Sequence, residues 1–160
     1  MRTNNARVKN TIVSVYFVLI FFAVLMLFFF RGLSGATDNQ ILLFIAIAFG
    51  FAVLFFLVHF VSKYFEYDSD GLKVVVLNKG LLFSDKFNYR EHRIEFDKKQ
   101  LYAYRFRNMF VYKTLTLYFK NSREIKSKET FNVTLVNRRK RKYIRQSLSK
   151  IIKANKNRID

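Results

Sequence analysis

The sequence has no cysteine and no proline, and it has only five glycines and two histidines among its 160 residues. The absence of cysteine excludes disulfide bonds, thiolate metal sites and a cysteine nucleophile. The histidines, His59 and His92, do not provide a usual zinc spacing, and no glycine-rich phosphate-binding motif is present. We therefore predict a protein that is not an enzyme and that needs no metal and no cofactor.

Acidic residues are also scarce, since 29 Lys and Arg residues stand against 11 Asp and Glu residues and leave a formal net charge of +18. A chain with so large a charge of one sign repels itself, and an anionic partner or surface must offset this repulsion. Phospholipid headgroups and nucleic acid are the leading candidates for that partner.

Charge is absent from two long apolar segments in the first third of the chain. The segments 12–30 and 41–61 contain about 19 and about 21 residues without Asp, Glu, Lys or Arg, which is long enough for a helix to cross a bilayer. They predict a transmembrane hairpin over residues 1–62. A cleaved signal peptide is the alternative for the first segment, with small residues at 34–36, but that segment is longer than usual and a second span follows at once.

The positions of Lys and Arg predict the orientation of this hairpin. Three basic residues, Arg2, Arg7 and Lys9, precede the first span, one lies in the connecting loop 31–40, and many follow Ser62. Basic residues concentrate on the cytoplasmic side of membrane proteins. We therefore expect both termini, and a soluble domain over residues 63–160, to be cytoplasmic.

Small residues recur at intervals of four in the second span, as the pairs Ala46/Gly50 and Ala48/Ala52. Such pairs let another helix backbone come close. We expect the first span to pack there. A different integral-membrane protein is the alternative occupant of this face.

After residue 63 the apolar residues alternate with polar ones, which predicts an antiparallel β domain. In the predicted strand 110–120, Leu115, Leu117 and Phe119 occupy one face. A closing amphipathic helix is expected over residues 138–154, capped by Asn137. Its apolar stripe contains Ile144, Leu148, Ile151 and Ile152.

The other face of this closing helix is strongly basic and has no acidic residue before Asp160. We predict that it binds an anionic surface, although a basic helix face can also be merely solvated. The predicted contact residues are Arg138, Arg139, Lys140, Arg141, Lys142, Arg145, Lys150 and Lys153.

The order of these segments resembles small bacterial inner-membrane proteins in which a transmembrane hairpin precedes a pleckstrin-homology-like domain. The resemblance rests on the hairpin 65–72 directly after the second span, on the segment 115–119 before a polar turn, and on the closing helix. It implies a partly open β barrel that binds or scaffolds at the membrane surface, without a small-molecule substrate.

Two functions agree with these features. The first is an adaptor or accessory subunit, whose hairpin packs in a larger integral-membrane protein complex and whose basic domain contacts anionic lipid or a partner. The second is a membrane tether for a ribosome or nucleic acid, in which the cluster 138–142 neutralises phosphates and Tyr102, Tyr104 and Tyr112 stack on bases.

Overall fold

The structure, a computed structural model, describes residues 1–34, 39–81, 91–120 and 125–157. They form two units. The helical unit contains residues 7–60. The β unit is discontinuous, because it combines residues 1–6 with the chain from residue 61 onward.

The helical unit consists of α1 (Val8–Ser34) and α2 (Gln40–Val61). The segments Val8–Phe29 and Gln40–Val61 are long and apolar enough to cross a membrane, and almost none of their side chains is buried. A helix that is apolar all round needs an apolar environment. Both apolar segments predicted from the sequence are helical in the structure. Helix α1 begins at Val8, four residues before its apolar segment.

The half-buried positions of α2 recur at helical spacing on one face, and they are Leu43, Ile47, Phe51, Phe55, Val58 and Val61. Within this unit the ring of Phe55 stacks on Tyr16 of α1 with centroids 6.0 Å apart.

The four small residues that we expected to face α1 are exposed, and the space around Gly50 is open. Bulky side chains, rather than small ones, lie on the half-buried face of α2. One of them, Phe55, contacts the ring of Tyr16 in α1. The exposed small residues are Ala46, Ala48, Gly50 and Ala52.

The described residues of the β unit form two antiparallel sheets and one α-helix. The first sheet has the order β1 (Arg2–Asn4), β2 (Lys63–Asp68), β3 (Lys73–Gly80) and β4 (His92–Asp97). After a short 3-10 turn, the second sheet has the order β5 (Leu101–Asn108), β6 (Lys113–Lys120) and β7 (Lys126–Asn132). Among the described strands the sheets are not closed into a barrel. The closing helix, α3, covers Arg138–Lys156.

The core of the β unit lies between the sheets and α3. Leu115 and Leu117 are fully buried, as the alternation predicted, and so are Ile144 and Leu148 of α3. The first sheet contributes the buried side chains Phe65, Tyr67, Val74, Val76 and Phe96.

Strand β1 is the main departure from the sequence prediction, which placed residues 1–62 in the hairpin. Thr3 pairs with Tyr67 in the register of an antiparallel neighbour of β2. Asn5 is buried, and its side-chain amide donates to Lys63 O at 2.9 Å and accepts from Phe65 N at 2.8 Å. A three-residue strand is too short to show an alternating pattern in the sequence.

Other differences concern strand limits. The alternation also predicts short strands over residues 81–83 and 86–89, and these ranges lie largely or wholly outside the described residues. Strand β6 begins at Lys113 rather than at Phe110, because residues 109–112 form the turn that joins β5 to β6.

We expect Asn5→Ala to lower the free energy of unfolding of the β unit by about 1–3 kcal/mol, because it leaves the buried N–H of Phe65 and the carbonyl of Lys63 without this partner. Amide hydrogen exchange of β2 in the detergent-solubilised full chain measures the effect. The matched control is Asn4→Ala. In the part of the chain that the structure describes, the Asn4 side chain accepts from the exposed Ala6 N. Equal exchange rates in the two variants would contradict a structural role for Asn5.

Candidate anion-binding surface

The basic surface begins where α3 begins. Asn137 caps the helix, since its side chain accepts from Arg139 N at 3.0 Å. The first turn of α3 contains no acidic residue. Because the N-terminal end of a helix carries a partial positive charge, cations here are unfavourable unless an anion offsets them.

Contacts with both sheets fix the orientation of α3. Ser147 Oγ lies 3.0 Å from the hydroxyl of Tyr67 in the first sheet. Ser149 Oγ lies 2.7 Å from the hydroxyl of Tyr104 in the second, and Asn155 donates to Leu101 O at 2.8 Å. The face of α3 that points away from the core is therefore set by its polar as well as its apolar contacts.

A groove of about 1070 Å³ lies between the first turns of α3 and the end of the β5–β6 hairpin. Seven of its eleven lining residues are cations, and none of the described lining residues is acidic. We call this surface the basic groove. It is lined by Phe106, Arg107, Asn108, Lys113, Asn137, Arg138, Arg139, Arg141, Lys142, Arg145 and Gln146.

The cations of the basic groove are close enough to affect one another. Burial lowers the pKa of Arg141, and the neighbouring charges of Arg138 and Arg145 lower it further. The guanidinium of Arg145 lies over the ring of Phe106, 5.3 Å from its centroid, and this cation–π contact holds it at the edge of the groove.

Acidic side chains in the described residues pair with cations elsewhere in the β unit. Glu66 accepts from Arg2 at 2.8 Å, and Glu95 accepts from Lys73 at 2.9 Å. These acids lie on strands of the first sheet. The positive charge of the basic groove is therefore not offset by them.

The structure brings together five of the eight residues predicted from the sequence: Arg138, Arg139, Arg141, Lys142 and Arg145. The remaining three, Lys140, Lys150 and Lys153, do not line the groove.

Each of these three lysines lies in a different environment. Lys140 Nζ donates to Asn4 O in β1. Lys150 lines two other cavities, both beside Met1. Lys153 is exposed near the end of α3.

Two groove residues, Arg107 and Lys113, were not predicted as part of the site. They flank the β5–β6 turn, where Lys113 pairs with Asn108. Each is an ordinary basic strand residue in the sequence, and only the tertiary fold brings them beside α3.

A series of hydrogen bonds connects the groove residue Lys113 with the corner of the β unit from which the chain leaves for α1 and to which it returns from α2. Asn78 donates to Tyr64 O at 2.8 Å and to Asn132 O at 3.1 Å. The next residue after Asn132 is Val133, whose N–H donates to Lys113 O at 2.8 Å. We call this corner, marked by Asn5 and Tyr64, the tether corner.

In the described ranges, no three side chains of His, Asp or Glu lie together in a way that could hold a metal ion. Comparison of this chain with protein-family models, curated proteins and solved structures finds no match.

We expect Arg141→Gln to raise the free energy of unfolding of the β unit at low salt. Each like-charged pair three or four positions apart on a helix is destabilising by roughly 0.2–0.5 kcal/mol, and this substitution removes Arg141 from its pairs with Arg138 and Arg145. Hydrogen exchange of α3 in the full chain measures the change. The gain should shrink as salt is added, and Lys128→Gln on β7 is the exposed control. A variant less stable than the natural protein at low salt would show that the cluster is not under repulsion.

Proposed function

We propose that this protein is a non-catalytic adaptor of the bacterial inner membrane, anchored by two spans, whose β unit contacts anionic lipid headgroups on the cytoplasmic side. The observation that supports this proposal most directly is the basic groove, which is lined by seven cations. The two-sheet unit closed by α3 also supports a pleckstrin-homology-like domain, although fold alone does not determine function.

The pairing of β1 with β2 supports a hairpin topology. Asn5 bonds to Lys63 and Phe65, so the start of α1 and the end of α2 are fixed at one corner of the β unit. A single crossing would place Asn5 and Lys63 on opposite sides of the bilayer and would break these bonds. Two crossings keep both on one side, and the many Lys and Arg residues there make that side the cytoplasm.

Lipid headgroups are the partner that the tether corner brings nearest. Each Lys or Arg close to an anionic leaflet contributes about 1 kcal/mol, so seven cations contribute several kcal/mol. Because the chain enters its apolar segments beside the same corner, the surface is always within reach, and the local concentration of headgroups is high.

The hairpin can also pack in a larger integral-membrane protein, as expected of an accessory subunit. The exposed small residues of α2, including Gly50, leave space for another helix backbone.

The alternative, a tether for a ribosome or nucleic acid, is less well supported. Tyr104 bonds to Ser149, and Tyr102 lies 6.2 Å from the ring of Tyr118, so these tyrosines already pack within the β unit.

The topology is tested with single cysteines, which the natural chain lacks. A cysteine at Ser34, in the predicted periplasmic turn, should react with an impermeant thiol reagent on intact cells. A cysteine at Leu72, which is exposed in the β2–β3 turn, should react only after permeabilisation. Labelling of residue 72 in intact cells would show the opposite orientation.

Lipid contact is tested on the full chain in nanodiscs with Gln146→Cys as a reporter, because this residue lines the basic groove. We expect anionic lipid to slow its reaction with a neutral maleimide several-fold compared with zwitterionic lipid. High salt should restore the rate, since the screening length is only about 8 Å at physiological ionic strength.

Replacing Arg138, Arg139, Arg141 and Lys142 with Gln should abolish this protection. Replacing Lys126, Lys128, Lys153 and Lys156 with Gln removes the same charge outside the groove and should preserve most of it. Equal rates in anionic and zwitterionic discs, or equal effects of the two sets, would contradict the proposal.

A further inference from the structure

Three consecutive apolar residues are exposed at the turn between β5 and β6. Met109 is 55 %, Phe110 104 % and Val111 56 % exposed. We call these three residues the apolar tip. Single exposed apolar side chains are common on protein surfaces, but a contiguous group at the end of a hairpin is typical of a contact surface.

The hairpin fixes the shape of this turn. Met109 N donates to Tyr112 O at 2.9 Å, and the strand pairing continues up to the pair Asn108 and Lys113. The side chain of Phe110 therefore projects from an ordered turn, and its exposure is a property of the fold.

Cations border the apolar tip on both strands. Arg107 precedes it, Lys113 follows it, and both line the basic groove together with Arg138 at the start of α3. Apolar side chains that project past a set of cations match a bilayer surface, where phosphates lie above the acyl chains. Nucleic acid offers phosphates but no comparable apolar layer beneath them.

Hydrogen bonds within the β unit connect the strand that follows the tip with β2, which follows α2 in the chain. Lys113 O accepts from Val133 N, and the preceding residue, Asn132, is hydrogen-bonded to Asn78, which contacts Tyr64 next to the end of α2.

We propose that the apolar tip inserts into the interfacial layer of the bilayer, with Phe110 deepest and the groove cations at the phosphates. This inference rests on the proposed function and adds to it a binding site for the lipid interior. It predicts an apolar contribution to docking that salt does not screen, beside the salt-dependent contribution of the basic groove.

The absence of cysteine permits a direct test on the full chain. Phe110→Cys carrying an environment-sensitive fluorophore is placed in pure-lipid nanodiscs that contain an acyl-chain spin label as quencher. We expect a blue-shifted emission and strong quenching. The control is Leu72→Cys with the same fluorophore, since Leu72 is 90 % exposed at the opposite end of β2. Its emission should resemble that in water.

A second arm keeps the natural phenylalanine and places the fluorophore at Val111→Cys. Adding Phe110→Asp should then reduce the quenching several-fold, while hydrogen exchange of β5 and β6 stays unchanged because Phe110 is exposed. Quenching at residue 110 that is absent, or that equals the quenching at residue 72, overturns the proposal and leaves a protein partner or a second copy as the occupant of the tip.

The two proposals fail in different ways. If the tip does not insert but the basic groove still binds lipid, Gln146→Cys keeps its protection by anionic lipid while the label at residue 110 reports water. If the groove does not bind lipid but the tip inserts, quenching at residue 110 is the same in zwitterionic and anionic discs and resists high salt, while the protection of Gln146→Cys is lost.

Discussion

The pairing of β1 with β2 is the constraint on which the rest of the structure depends. Two strands that are neighbours in one sheet are separated in the chain by the whole helical unit. Since antiparallel neighbours exchange hydrogen bonds along their length, the first residues and the chain after residue 62 must be on the same side of any membrane that α1 and α2 cross. The buried amide of Asn5 strengthens this requirement because it satisfies backbone groups on β2. The first sheet therefore cannot be completed until both apolar segments have been synthesised.

The distribution of charge shows that stability alone does not explain the start of α3. Acids in the first turn would be favourable for this helix, yet the sequence places cations there, and neighbouring charges and burial lower the pKa of Arg141. Some acids of the β unit instead pair with cations away from the groove, as Glu66 does with Arg2. The cations at the start of α3 repel one another, whereas some cations elsewhere are paired with acids. This pattern is expected where an external anion offsets the repulsion.

The sequence predicts the features that depend on local periodicity and misses those that depend on distant parts of the chain. The apolar segments, the cap at Asn137 and the buried stripe of Ile144 and Leu148 are visible in short windows, and the structure confirms them. Strand β1 cannot be detected in the sequence because three residues carry no period and their partners in β2, from Glu66 for Asn4 to Asp68 for Arg2, lie beyond the helical unit. The contribution of Arg107 to the basic groove is equally non-local, since it requires the β5–β6 hairpin to lie beside α3. The tip was assigned to a strand because Phe110 and Val111 are good strand formers, and only the turn geometry places them outside the ladder.

In the proposed adaptor, three weak interactions with the membrane involve the β unit. Asn5 and Tyr64 mark where the anchors leave, Lys113 links the basic groove to the same corner, and the apolar tip extends from the strand that Lys113 begins. Neither a few cations nor one exposed phenylalanine binds a bilayer strongly by itself. Once the helices hold the unit at the surface, however, each further contact is intramolecular and loses little additional translational freedom. Under these conditions modest energies suffice to orient the β unit. In this proposal the contribution of the cations depends on anionic lipid and salt, while that of the tip does not. The lipid composition of the membrane therefore changes how strongly the β unit is held at the surface, and the helices keep it attached.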